Sequence, residues 1–266
     1  QLLLTCSISV LLNRPGLQSI SINKVFTHIQ FMERYFKKTG GLLYSYLISV
    51  PLLLLYEVLI IISQPSGVST RISVDIWFKS LFSYLGWDAI SATLIIAAVV
   101  GGIIVYQKRR ELQTVRKSYF LIMICEAAVY AVFAALVISN IVDFLLLQSA
   151  NGLPASFSKL QLIALSLGAG LYEELFFRVI LVSLLIFFFN IFFDKKKYAV
   201  VLSVVVAAFI FSGVHYVGEY ADSLVLSTFL FRFLFGLALN LIYVIRGFGM
   251  AAWTHAIYDL IVVLNM

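Results

Sequence analysis

Charge is scarce in this chain. Only 12% of its residues are Asp, Glu, Lys or Arg, while 62% are hydrophobic; a soluble domain carries about a quarter charged. With a mean hydropathy of +1.02, the chain has too little polar surface to wrap a water-soluble core. The composition therefore predicts a polytopic membrane protein. Cysteine is nearly absent: Cys6 and Cys125 are too few and too far apart for a disulfide framework. Repeats, low-complexity tracts and soluble domains are lacking as well. The net charge of +6 would suggest nucleic acid in a soluble protein. Here the basic residues cluster between apolar runs, where they set topology instead, so no nucleic-acid partner is expected. Residues 1–12 are apolar but short and have no basic n-region, so no signal peptide is expected. A first residue other than Met suggests a fragment, a processed product or a trimmed chain.

The apolar runs organise the chain into all-α architecture with about seven transmembrane helices. Residues 1–40 form an N-terminal segment, in which the basic and aromatic stretch 24–38 reads as an interfacial helix on an anionic leaflet. Residues 41–150 hold the N-terminal spans, at about 42–63, 89–106 and 119–140, the last continuing apolar to Leu147. Between the first two, residues 72–86 alternate apolar and polar and read as a second interfacial segment. Residues 151–266 form the C-terminal helical core. Its first apolar stretch, 159–193, would run to about 50 Å as a helix, against a hydrocarbon core of about 30 Å. A break or bend is therefore expected near Gly168-Ala169-Gly170. Further spans follow at about 198–216, 223–245 and 248–266.

Basic residues fix the orientation. Lys37-Lys38, Lys108 to Lys117, Lys195 to Lys197 and Arg246 fall on alternate sides of successive spans, hence on one side. Seven spans with a cytoplasmic N-terminus satisfy the positive-inside rule, in a membrane expected to be the bacterial cytoplasmic one. On this topology His255 sits at a different depth from Glu173 and His215, unless the segment after Arg246 enters as a loop.

Within that apolar core lie three short motifs. Ionisable groups in hydrocarbon cost about 2.5–3.5 kcal/mol each on insertion scales, so their retention needs a reason. In Glu173-Glu174-Leu175-Phe176-Phe177-Arg178, Glu174 and Arg178 share a helical face and can pair, while Glu173 points about 100° away. Phe211 and His215 are four residues apart, as are His255 and Asp259. Asp259 is placed to accept a hydrogen bond from His255 and fix its tautomer. Taken singly, the two histidine motifs read as polar clasps between helices, whereas the glutamate pair leaves one carboxylate free for chemistry. Taken together, they suit two chemistries. In one, Glu173 and His215 deprotonate a water that attacks a peptide carbonyl, while His255 and its neighbour stabilise the oxyanion. In the other, Glu173, His215 and His255 hold Zn²⁺ with an open position for water; no metal is favoured, because the spacing lacks a zinc-specific pattern. The remaining buried charges read as packing: Arg232 paired with Glu126, Asp143 or Glu174, and Glu57 capping or snorkelling. Tyr172 and Trp253 read as packing residues too.

At these residues the chain resembles the CAAX protease and bacteriocin-processing family of intramembrane endopeptidases, also called the Abi family. Its pattern, EExxxR, then FxxxH, then HxxxN or HxxxD, corresponds to Glu173, Glu174 and Arg178, to Phe211 and His215, and to His255 and Asp259. The resemblance covers residues 160–264. It implies a glutamate-type endopeptidase acting on a membrane-associated or lipidated peptide or protein. Glu173 and His215 would activate water, His255 and Asp259 would form the oxyanion site, and Glu174 and Arg178 would be structural or substrate-orienting. A metal-free mechanism is similar to that of the prenyl-processing branch. Asp259 departs from Asn. An ionised Asp cannot donate to an oxyanion, so it must be protonated, act only through His255, or bind metal. Two rival functions are a non-catalytic immunity or scaffold protein on the same helices and a proton-coupled transporter; the latter commonly shows paired halves, absent here.

Overall fold

The computed structural model describes residues 18–63, 73–86, 89–146, 158–217 and 221–265. Among them every regular element is a helix, as the composition predicts. The polar stretch 148–156, which follows the apolar run ending at Leu147, lies outside the described residues. The chain divides into Gln1–Thr39 and Gly40–Met266. In the first unit, α1 (Gln18–Thr39) ends on Lys37 and Lys38. Its last turn is tied by Thr39 Oγ1 donating to the Tyr35 carbonyl, 2.8 Å.

The second unit begins with α2 (Leu42–Ser63), α3 (Ser73–Tyr84), α4 (Ala89–Gln107) and the single turn α5 (Arg109–Leu112). It continues with α6 (Lys117–Leu146) and α7 (Lys159–Gly168). Two π-helical segments follow, π1 (Ala169–Glu173) and π2 (Leu175–Val182), then α8 (Ser183–Phe189). Last come α9 (Lys196–Val214), α10 (Leu226–Arg246) and α11 (Phe248–Leu264). Leu42–Ser63, Lys117–Val142, Lys196–Val214 and Leu226–Arg246 are each long and apolar enough to cross a membrane; Ala92–Gln107 and Phe248–Leu264 are shorter apolar helices. The chain is an all-α polytopic membrane protein.

Near Gly168-Ala169-Gly170, where a break or bend is expected, the α-helix ends at Gly168 and the chain continues in π register. Glycine there serves close approach, since a Cβ on Gly170 would lie 2.5 Å from the Ala252 carbonyl oxygen and 2.6 Å from the Ala256 Cβ. No loop follows Arg246, yet His255 reaches Glu174, so the expected difference in depth does not separate the motifs. Gly247 alone turns the chain, with φ +87°, a conformation that favours glycine, and α11 starts at Phe248. Helix α3, expected as an interfacial segment, turns its charges into the protein. Its charged Asp75 and Lys79 are buried in the protein, while Ile76, Trp77, Leu81 and Tyr84 are exposed. An ion pair to α2, described below, turns the polar face inward.

Helix α11 is the hub of the second unit, packing against α2, α6, α7, π1 and α10. Its small residues Gly249, Ala251, Ala252 and Ala256 permit this, being buried with neighbouring backbones close by. One apolar cluster joins Leu52 and Tyr56 of α2, Leu167, Leu171, Phe177, Phe211 and Ala256. A second joins Ala134 and Ile138 of α6 to Phe235 and Leu239 of α10. The three motifs border the first cluster.

Candidate functional site

The motif helix is fixed at its start by a capping box. Gln161 N–H donates to Ser158 Oγ at 3.2 Å, and Ser158 N–H donates to Gln161 Oε1 at 2.8 Å. This satisfies two otherwise orphaned donors. About three turns on, Gly170 seats the helix against the backbone of α11, so the Glu173-Glu174 pair arrives beside His255.

Glu174 and Arg178 pair as their spacing predicts, Oε1 to a guanidinium nitrogen at 2.8 Å, both side chains wholly buried. The same carboxylate oxygen accepts from His255 Nδ1 at 2.7 Å. Glu174 therefore links two motifs, which helical spacing within one motif does not reveal. Asp259 lies 3.6 Å from His255 Nε2, too far for a direct hydrogen bond. The ring orientation of His255 is set by Glu174 rather than by Asp259, which corrects the sequence expectation. Asp259 acts on the ring by charge across its other nitrogen.

Phe211 is the apolar centre of the site. Its ring lies 4.4 Å from the Arg178 guanidinium carbon, with ring centroids 5.2 Å from His215 and 6.2 Å from His255. A guanidinium over an aromatic face is attracted by the ring quadrupole, which suits an arginine sealed away from water. Gly236 of α10 lets that helix close on the ring: a Cβ there would sit 2.7 Å from Phe211 Cδ1. Below the ring, α9 and α10 are clasped by Asn240 Nδ2 donating to the Val204 carbonyl (2.8 Å) and Ser212 Oγ to the Phe229 carbonyl (2.7 Å).

His215 stands at the C-terminal end of α9, half-buried. Its Nδ1 is 2.8 Å from the Phe211 carbonyl. A carbonyl only accepts, so Nδ1 carries a proton and, in the neutral ring, Nε2 holds the lone pair. The backbone N–H of Asp222 donates to the His215 carbonyl, 3.0 Å, holding the following loop against it.

Glu173 is half-buried, and among the described residues no hydrogen-bond partner holds its carboxylate. Its charge acts on His215, His255, Asp259 and Arg178. The seven motif residues are thus gathered around one place, each from the helix its spacing implied. Among the described residues no three His, Cys, Asp or Glu side chains are grouped so as to hold a metal ion.

The other buried charges differ from expectation. Arg232 pairs with Asp222, not with Glu126 or Glu174, because it stands near the start of α10, beside the loop; the side chain of Asp143 lies outside those described. Glu126 instead receives a bidentate fork from Arg246, at 2.7 and 2.8 Å, and the Tyr130 hydroxyl at 2.6 Å. Glu57 neither caps nor snorkels: it is buried and pairs with Lys79 at 2.7 Å, while Tyr172 donates to it at 3.0 Å. The signal for this network was the spacing of Asp75 and Lys79, four apart on a short helix. Trp253 donates to the Ile48 carbonyl at 2.7 Å and packs, as expected.

Residues 154–261 match the family model described as Rce1-like, type II CAAX prenyl endopeptidase Rce1-like. No curated protein and no solved structure matches the chain.

Proposed function

We propose, for a chain whose residues 154–261 form an Rce1-like domain of the CAAX protease family, that water is the nucleophile and Glu173 and His215 activate it. As a CAAX-type endopeptidase it hydrolyses a peptide bond of a peptide or protein substrate in a membrane. The observation that carries the finer reading is the His215 tautomer: Nδ1 is occupied by a carbonyl, so Nε2 is the basic atom, on a ring that feels the charge of Glu173.

In the reaction, water bound between Glu173 and His215 Nε2 gives up a proton as its oxygen bonds to the scissile carbonyl carbon. The electron pair of the C=O bond moves to oxygen, and His255 faces that oxyanion with Nε2, because Nδ1 donates to Glu174. With a proton on Nε2 as well, the ring donates to the oxyanion. Collapse of the intermediate breaks the C–N bond, and the amine leaves with the proton taken from water. Asp259 contributes through His255, the role open to a carboxylate that cannot itself donate. Glu174 and Arg178 orient His255 rather than touching substrate.

The substrate class we assign is a lipidated or membrane-anchored peptide. The basic loops support a cytoplasmic N-terminus in a bacterial cytoplasmic membrane. Purified protein assayed on a prenylated CAAX peptide, with and without a strong chelator, tests the reading. Cleavage that survives chelation is expected. Loss on chelation restored by Zn²⁺ would replace the metal-free mechanism, and failure to cleave any membrane-anchored peptide would favour a scaffold or immunity role.

A further inference from the structure

A second buried network has all its charged members outside the family-matched residues. Lys79 of α3 contacts Glu57 of α2 at 2.7 Å and Asp75 at 2.9 Å. Tyr56 donates to Asp75 at 2.6 Å. Lys79 also sits 5.6 Å from the ring centres of both Tyr56 and Tyr172. All five side chains are buried. Taking such ions out of water costs several kcal/mol each, and apolar residues of like volume are often as stabilising. Retention of the network therefore points to positional specificity rather than stability.

What it positions is identified by its far end. The Tyr172 hydroxyl donates to the same Glu57 oxygen that Lys79 holds, and Tyr172 is the residue before Glu173, in π1. A π turn is looser and rarer than an α turn, and Glu173 has no side-chain hydrogen bond of its own among the described residues. Its carboxylate can be no better placed than the backbone beneath it. That backbone is gripped on one side by Gly170 against α11. On the other side it is gripped by Tyr172, whose ring also packs on Tyr56 and Phe78. Helix α3 adds a further hold through Trp77, 5.6 Å from Phe176.

We propose that Tyr172, anchored through Glu57 to Lys79, is the positioning residue of the general base Glu173. The inference rests on the proteolytic reading above. It assigns the short helix α3 and Glu57 of the first span a part in catalysis without contact to substrate. Removing the Tyr172 hydroxyl frees the turn that carries the base, and displacement of a reacting group by about 1 Å can cost about 10²-fold in rate.

The test is steady-state cleavage of a prenylated CAAX peptide by the purified full chain, with kcat, KM and melting temperature read for each variant. Tyr172→Phe, which removes a single oxygen, is expected to lower kcat by about tenfold or more with KM within about twofold, in a protein that still folds with a melting temperature lowered by loss of the buried hydrogen bond. Glu57→Gln keeps an acceptor for the hydroxyl and is expected to retain most of kcat. Glu57→Leu should fall as Tyr172→Phe does, and the double variant should fall no further, since both cut one connection. Wild-type kcat in Tyr172→Phe, or multiplicative losses in the double variant, would overturn the inference. If Glu57→Leu does not fold, Tyr172→Phe and Glu57→Gln decide alone. Glu173→Gln is the control: if it cleaves like the wild type, the proteolytic reading itself fails, whereas an inert Glu173→Gln beside a fully active Tyr172→Phe removes this inference only.

Discussion

His255 donates through Nδ1 to Glu174 across 2.7 Å, and this bond ties the last helix of the chain to the motif helix. It makes the second glutamate of the pair the ring's orienting partner, with Arg178 behind it at 2.8 Å. The three side chains form a chain of charge and hydrogen bonding sealed in an apolar interior, where each member depends on the next.

Breaking that chain at one end should therefore cost stability, and restoring neutrality should not restore function. Glu174→Leu leaves the Arg178 charge buried without its carboxylate, at an expected cost of about 3–5 kcal/mol. Adding Arg178→Met removes the stranded charge and should recover most of that loss. Cleavage should stay low in the double variant, because His255 has lost its acceptor. Melting curves in detergent and activity of the folded fraction check both parts.

Close backbone approach is the second dependence. Gly170→Ala places a methyl against the Ala252 carbonyl and Ala256, where the contacted atoms are mostly backbone and cannot swing aside. The two helices must separate, with an overpacking cost of about 1–3 kcal/mol and a disproportionate fall in activity as Glu174 withdraws from His255. Gly102→Ala, which meets nothing within 4 Å, should leave both measurements unchanged.

The local half of the site was legible in the sequence because helical spacing is a rule about neighbours. Glu174 with Arg178, Phe211 with His215, and His255 with Asp259 each share a face, as positions four apart must. Their convergence followed from the resemblance of the ordered motifs. What could not be read were contacts between helices distant in sequence: Glu174 to His255, Tyr172 to Glu57, Arg246 to Glu126, Arg232 to Asp222. Periodicity says which face a residue is on, not which helix lies opposite. Gly170 was ambiguous for a related reason. Glycine in a long apolar run signals either a bend or a close neighbour, and here the neighbour is α11. Helix α3 was legible as an alternating apolar and polar segment, but the burial of its charges was not, because Lys79's partner, Glu57, lies on another helix.

A charge pair remote from the motifs supplies a contrast. The Arg246 guanidinium grips both oxygens of Glu126, a fork that lysine cannot reproduce. Arg246→Lys should lose about 1.5–3 kcal/mol, the worth of hydrogen bonds to a charged group. Activity per folded molecule should be unchanged, since neither residue faces the reacting centre. Equilibrium unfolding beside kcat of the folded fraction distinguishes this from the Glu174 variants.

The most direct measurement is single-turnover cleavage of a prenylated CAAX peptide by purified wild type and Glu173→Gln. The substitution keeps shape and removes the proton acceptor. A rate lower by about 10²-fold or more, with an unchanged melting temperature, is the predicted result. Equal cleavage rates by the two folded proteins would contradict it.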